Sequence, residues 1–180
     1  LTLTLTLTLT LLFDFESKRC YEPALEILRR AGDRRGEAVC LGNLAYAHQN
    51  LGESRRAVEL YERALRLFRA AEDRCSEGVA LNNLAAAHDE LGEPRRAVAY
   101  YEESLEIFRE AGDRRGVGRA LNNLANALKK LGETRRAVAC YEESIEIFRK
   151  TGDQSGESKT RGNLAVVVQK MGENLNLDEG

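Results

Sequence analysis

The sequence contains no tryptophan, one methionine and two prolines among 180 residues, and aromatics make up only 6%. So few rings weaken any case for base stacking or an aromatic cage, and so few prolines leave room for uninterrupted helices. Neither sign of charge dominates, since 27 Lys and Arg stand against 29 Asp and Glu for a net −2. Nucleic-acid-binding domains usually carry a marked basic excess, so a nucleic-acid partner is not expected. Apolar runs long enough to span a bilayer are missing, so no membrane partner is expected either. The four cysteines, Cys20, Cys40, Cys75 and Cys140, form no CxxC pair. That spacing reads as a reduced, cytoplasmic chain with no metal site. GxSxG, Walker and HExxH motifs are absent, so neither catalytic residues nor a cofactor are expected.

What is present is a 43% hydrophobic, 31% charged chain, of a size that suits one domain or one repeat array. Self-similarity decides between these two. Leu41–Gly52 (LGNLAYAHQNLG), Leu81–Gly92 (LNNLAAAHDELG), Leu121–Gly132 (LNNLANALKKLG) and Arg161–Gly172 (RGNLAVVVQKMG) align without gaps at a constant 40-residue spacing. Between them run Arg55–Phe68, Arg95–Phe108 and Arg135–Phe148, again 40 apart. Tyr21, Ala24, Leu25, Ile27 and Leu28 match positions 40 residues later, so a half repeat opens the array.

Each unit reads as two amphipathic helices. Leu81, Leu84, Ala85, His88 and Leu91 make one apolar stripe of a first helix, and Ala97, Tyr101, Leu105 and Phe108 make one of a second. Gly52, Gly92, Gly132 and Gly172 are placed to close the first helices. Asp33, Asp113 and Asp153, each after a glycine, are N-cap candidates, and Pro94 suits the first position of a second helix. Neither helix of a pair buries its stripe alone; stacked neighbours do so. The expected fold is all-α, a right-handed α-solenoid (superhelix) of stacked antiparallel helix pairs.

The pattern of Leu84 before small Ala85, a ring at His88, then Gly92, Ala97, Tyr101 and Ser104 resembles the tetratricopeptide repeat. Leu81 stands where that repeat has Trp, and the closing Pro is missing. The 40-residue form is similar to Pins/LGN-type and kinesin-light-chain-type arrays. The resemblance implies a non-catalytic interaction module whose first helices line a concave groove that holds a peptide segment of a protein partner.

Two features of that wall name candidate peptide-binding residues. Asn43, Asn83, Asn123 and Asn163 recur at one repeat position, and Asn82, Asn122 and Asn126 lie beside them. An amide carries both donors and an acceptor, which suits a peptide backbone. Two readings stand for this ladder: a clamp on a ligand's main chain, or hydrogen bonds that stack repeats. The second feature is charge. Segments 38–52, 78–92, 118–132 and 158–172 carry 0, −2, +3 and +3, which brings Arg119, Lys130 and Lys159 forward for an acidic ligand segment.

The implied organisation is a low-complexity Leu/Thr segment over 1–13, an array over 14–172 and an acidic tail over 173–180. The array divides into a half repeat 14–36, repeats 37–76, 77–116 and 117–156, and a terminal first helix 157–172. The Leu1–Leu12 run occupies the slot of a missing first helix; helix is the marginal choice there over an exposed strand. The absence of an initiator Met reads as a fragment or a processed chain. Uncapped ends make self-association a second expectation, as a structural or oligomerising array; a sensor module of a larger regulator is a third.

Overall fold

The computed structural model describes residues 19–178, with side chains described over 19–171. The expected helix over Leu1–Leu12 lies outside the described residues. The chain divides into two compact units, Leu1–Glu93 and Pro94–Gly180. The first contains α1 (19–31), α2 (Arg34–Asn50), α3 (Ser54–Ala70) and α4 (Arg74–Glu90). The second contains α5 (Pro94–Glu110), α6 (Arg114–Lys130), α7 (Thr134–Thr151) and α8 (Gln154–Asp178). No strand occurs among the described residues.

Within the first unit α3 packs on both α2 and α4, and α2 also touches α4. Leu41, Leu44, Ala57, Tyr61, Ala64, Leu81 and Leu84 are buried between these helices. The second unit repeats the plan: α6 packs on α5 and α7, and α8 rests on α7 and α6. Its core holds Tyr101, Phe108, Leu121, Leu124, Tyr141 and Phe148. Burying each such large side chain is worth about 1.5–3 kcal/mol. Wholly buried Ala45, Ala85, Ala97, Ala125 and Ala137 lie at the expected small positions and let the helix axes approach.

The turns explain the period. Asp33, Asp73, Asp113 and Asp153 cap the first helices by accepting from the backbone N–H of Gly36, Ser76, Gly116 and Gly156 at 2.8–3.1 Å. Asp73 is a cap that the glycine-then-aspartate pattern passes over, because Glu72 precedes it in place of glycine. Glu72 nevertheless adopts φ 53°, beside 71°, 69° and 71° at Gly32, Gly112 and Gly152. Gly52, Gly92 and Gly132 also take positive φ, as expected. Gly172 does not close its helix: α8 runs on to Asp178, through the boundary expected at 172 and into the segment read as a tail. Glycine permits a left-handed turn without imposing one; at Gly52 and Gly132 the next helix packs back on the one just ended. Helix α2 begins at Arg34, three residues ahead of the repeat boundary drawn at 37.

Candidate functional site

The first helices keep one stripe out of the core, and this stripe carries the sequence-derived candidates. In the first unit, α2 and α4 present Val39, Tyr46 and Val79, which are 46%, 57% and 42% exposed although apolar. They surround a concavity of ≈ 260 Å³ floored by Tyr61 and Phe68, with Gly42, Asn43 and Asn83 also in its lining. The Tyr61 hydroxyl donates to Gln49 Oε1 at 3.2 Å, and burial raises its pKa, so it stays a donor. Gln49 Nε2 and the Ser54 hydroxyl both donate to the Glu90 carboxylate at 2.7 Å. That carboxylate therefore joins the end of α2 and the start of α3 to α4.

Asn43 is exposed and its side chain makes no hydrogen bond among the described residues. Asn82 Nδ2 faces Asn83 Oδ1 at 3.5 Å, the outer limit of a hydrogen bond. Asn83 Nδ2 has no partner among the described residues.

In the second unit the same stripe is amide-rich and basic. Asn163 Nδ2 on α8 donates to Asn122 Oδ1 on α6 at 3.1 Å, and Asn122 Nδ2 in turn approaches Asn123 Oδ1 at 3.4 Å. Asn126 Nδ2 donates to Asn122 O at 3.0 Å, while its Oδ1 accepts from the Tyr141 hydroxyl at 2.7 Å. Burial pushes Tyr141 up to about 12, so this donor keeps its proton throughout the neutral range. The structure thus brings Asn122, Asn123, Asn126 and Asn163 into one network that ties α6, α7 and α8. Asn163 spends its donor on a neighbouring helix, whereas Asn123 keeps its Nδ2 open. Arg119, Lys130 and Lys159 are exposed at the edges of this surface, and neither Arg119 nor Lys159 forms an ion pair among the described residues.

Reasoning from polar chemistry picks out amides and cations and passes over Val39, Tyr46 and Val79. Their signal is positional, since they are apolar residues on the solvent-side stripe. It also passes over a clasp across the turn: buried His48 and His88 bond through Nδ1 to the carboxylates of Glu53 and Glu93, the latter at 2.7 Å. An H-x4-E spacing at 48/53 and 88/93 is the sequence trace of it. At the third occurrence Leu128 replaces the histidine and Glu133 bonds Arg136 instead.

Burial raises the pKa of Cys40, whose thiol donates to Tyr21 O at 3.3 Å, and that of Cys140. Cys20 and Cys75 are exposed. No cluster of three or more His, Cys, Asp or Glu able to hold a metal occurs among the described residues. Nor is any described helix long and apolar enough to cross a membrane.

Helix hairpins repeated every 40 residues, sealed on one side by their core and open along the first helices, define a helical-repeat protein of the α-solenoid class. The family model for the tetratricopeptide repeat matches residues 13–70, 76–150 and 116–174, and the chain belongs to the tetratricopeptide repeat family. Such repeats generally mediate protein–protein interaction, and proteins built from them are generally non-catalytic scaffolds. A search of curated proteins gave no match. Among solved structures, BtubC (BKLC) from P. vanneervenii is 27% identical over 88% of this chain and 66% of that chain, with a TM-score of 0.73. The apo form of RapI is 23% identical over 89% of this chain and 44% of its own, with a TM-score of 0.78. A putative kinesin light chain from Podospora anserina, with nearly identical TPR-like repeats, is 20% identical over 97% of this chain and 90% of its own, with a TM-score of 0.65. The chain thus spans less than two thirds of BtubC and under half of RapI.

Proposed function

We propose that the chain is a non-catalytic adaptor that holds a peptide segment of a partner protein along its first helices. One asymmetry carries this reading. Among the described residues, the exposed large apolar side chains are Ile27, Val39, Tyr46, Val79, Val166 and Val168. Val39, Tyr46, Val79 and Val166 lie on the outward stripe of first helices, Val168 on another face of α8 and Ile27 on α1, and α3, α5 and α7 have none among the described residues. Exposed apolar groups gathered on one set of elements mark an interaction surface more often than scattered ones do. The open donors of Asn83 and Asn123 suit a peptide main chain, and Arg119 and Lys159 favour an acidic stretch of ligand beside α6 and α8.

The test is a screen of a soluble peptide library against the full chain, repeated with Asn123→Ala and Lys159→Glu. Hits with acidic stretches should lose about 1–3 kcal/mol to the combined change, from one hydrogen bond and a reversed charge. Unchanged affinity for every hit would defeat the site assignment.

A second reading, self-association, has its own observation. Val168 is 53% exposed at the repeat position where His48, His88 and Leu128 are buried. Light scattering across concentration separates the two: a peptide-binding monomer supports the adaptor, and a ligandless dimer or filament supports the array.

A further inference from the structure

The ladder asparagines are not equivalent, and the difference places a specificity pocket in the first unit. Asn163 is neutralised by a side chain 41 residues earlier, Asn122, whose Oδ1 accepts its Nδ2 at 3.1 Å. The residue that stands in the same relation to Asn83 is Gly42, which has no side chain to offer. A Cβ built on Gly42 would meet nothing within 4 Å, so the vacancy is real space and not a close backbone approach. That space belongs to the ≈ 260 Å³ concavity between α2 and α4. No side chain at 42 reaches Asn83 Nδ2, which stays open beside the hollow.

The lining selects the chemistry. Val39, Val79 and the ring of Tyr46 form the mouth, and no lining residue bears a charge. An ionised side chain would be desolvated there without a counter-charge, which disfavours it strongly. The volume falls below the ~300–1,000 Å³ of small-molecule and cofactor sites, so it suits one side chain and not a nucleotide or a prosthetic group.

We propose that this hollow is a specificity pocket for a single uncharged apolar side chain of a bound peptide, in the size range from leucine to phenylalanine. Asn83 Nδ2 donates to the peptide carbonyl next to that side chain, and Asn43 supplies a second amide at the rim. The assignment rests on the peptide-adaptor reading and adds to it which residue class is read, and where. In this account Gly42 is the specificity determinant: an asparagine there would satisfy Asn83 and close the hollow together, as Asn122 does for Asn163.

The probe is N-acetyl-leucine N-methylamide, one apolar side chain flanked by two peptide bonds. It is titrated into the 15N-labelled full chain while the asparagine side-chain amide signals are followed. The expected result is a saturable shift of Asn83 and Asn43, absent with the glycine analogue and with the glutamate analogue. Gly42→Asn should weaken the leucine probe about tenfold or more, through the lost donor and the filled space. Gly42→Ala, which improves helix propensity but offers no acceptor, should stay within about threefold and guards against a folding artefact. Equal binding of the leucine and glutamate probes, no saturable shift with the leucine probe, or unchanged binding in Gly42→Asn would each overturn the pocket. In those cases, library peptides that still shift Asn123 would leave the adaptor reading standing. If no peptide shifts any first-helix amide, both readings fail.

Discussion

Glu72 holds a backbone conformation that its three counterparts reach with glycine, which makes it the best place to weigh torsion against contact. Gly32, Gly112 and Gly152 have φ of 71°, 69° and 71°, and Glu72 has 53°. The hydrogen bonds that hold these turns are the same. The backbone N–H groups of Asp33, Asp73, Asp113 and Asp153 donate to the Leu28, Phe68, Phe108 and Phe148 carbonyls at 2.9–3.0 Å. A left-handed L-residue costs about 1–2 kcal/mol, and replacing it by glycine frees the unfolded chain at a cost of about 0.4–1 kcal/mol. Glu72→Gly should therefore stabilise the first unit by about 0.5–1 kcal/mol. In a chain of this length that raises the melting midpoint by roughly 1–4 °C. The reverse change, Gly112→Glu, should destabilise the second unit by a similar amount, since a Cβ there meets nothing within 4 Å and only the torsion changes. Amide hydrogen exchange in α3 and α4, and in α5 and α6, reads each unit separately, which matters in repeat arrays where stability is a sum of local terms. A destabilised or unmoved first unit in Glu72→Gly would refute the reasoning.

Two further expectations follow from the turn and the amide network. The Asp73 carboxyl is held below the usual carboxylate range, first by the backbone N–H of Ser76 and further by the Ser76 hydroxyl and the Arg35 guanidinium. Its folded pKa lies under its unfolded value, so its stabilisation is full above pH ~4 and is lost as pH falls through the folded value. Asp73→Asn, which can still cap, should be less stable than the wild type by about 0.3–1 kcal/mol at pH 6, with the gap closing in urea titrations at progressively lower pH. Tyr141→Phe removes the donor to Asn126 Oδ1 and should cost about 0.5–1.5 kcal/mol. It should also shift the Asn126 side-chain amide signal, and an unmoved signal would mean that the bond is not populated in solution.

Much of this architecture is legible in the chain because repetition multiplies a weak signal. One amphipathic stripe is ambiguous, but Leu41, Leu81 and Leu121 at the same place in three successive segments are not, and all three are buried. The caps at Asp33, Asp113 and Asp153 are readable for the same reason. What escapes is whatever departs from the average repeat. Asp73 caps without its glycine, Gly172 lies inside a continuing helix, and His48 and His88 pair with glutamates across a turn. The binding surface is legible only as a stripe. Asn163 spends its amide on Asn122, 41 places earlier, whereas Asn83 has Gly42 there, and such a pairing exists only once helices are packed. Polar chemistry also draws attention away from Val39, Tyr46 and Val79, whose exposure is a property of the fold and not of their side chains.

The most direct test of peptide capture is a map of backbone and side-chain amide shifts on the full chain, titrated with peptides selected from a library. Shifts should concentrate on α2, α4, α6 and α8, led by Asn43, Asn83 and Asn123, with little change along α3, α5 and α7. Shifts centred on the outward residues of those second helices, such as Glu59, Glu102 or Glu142, would contradict it.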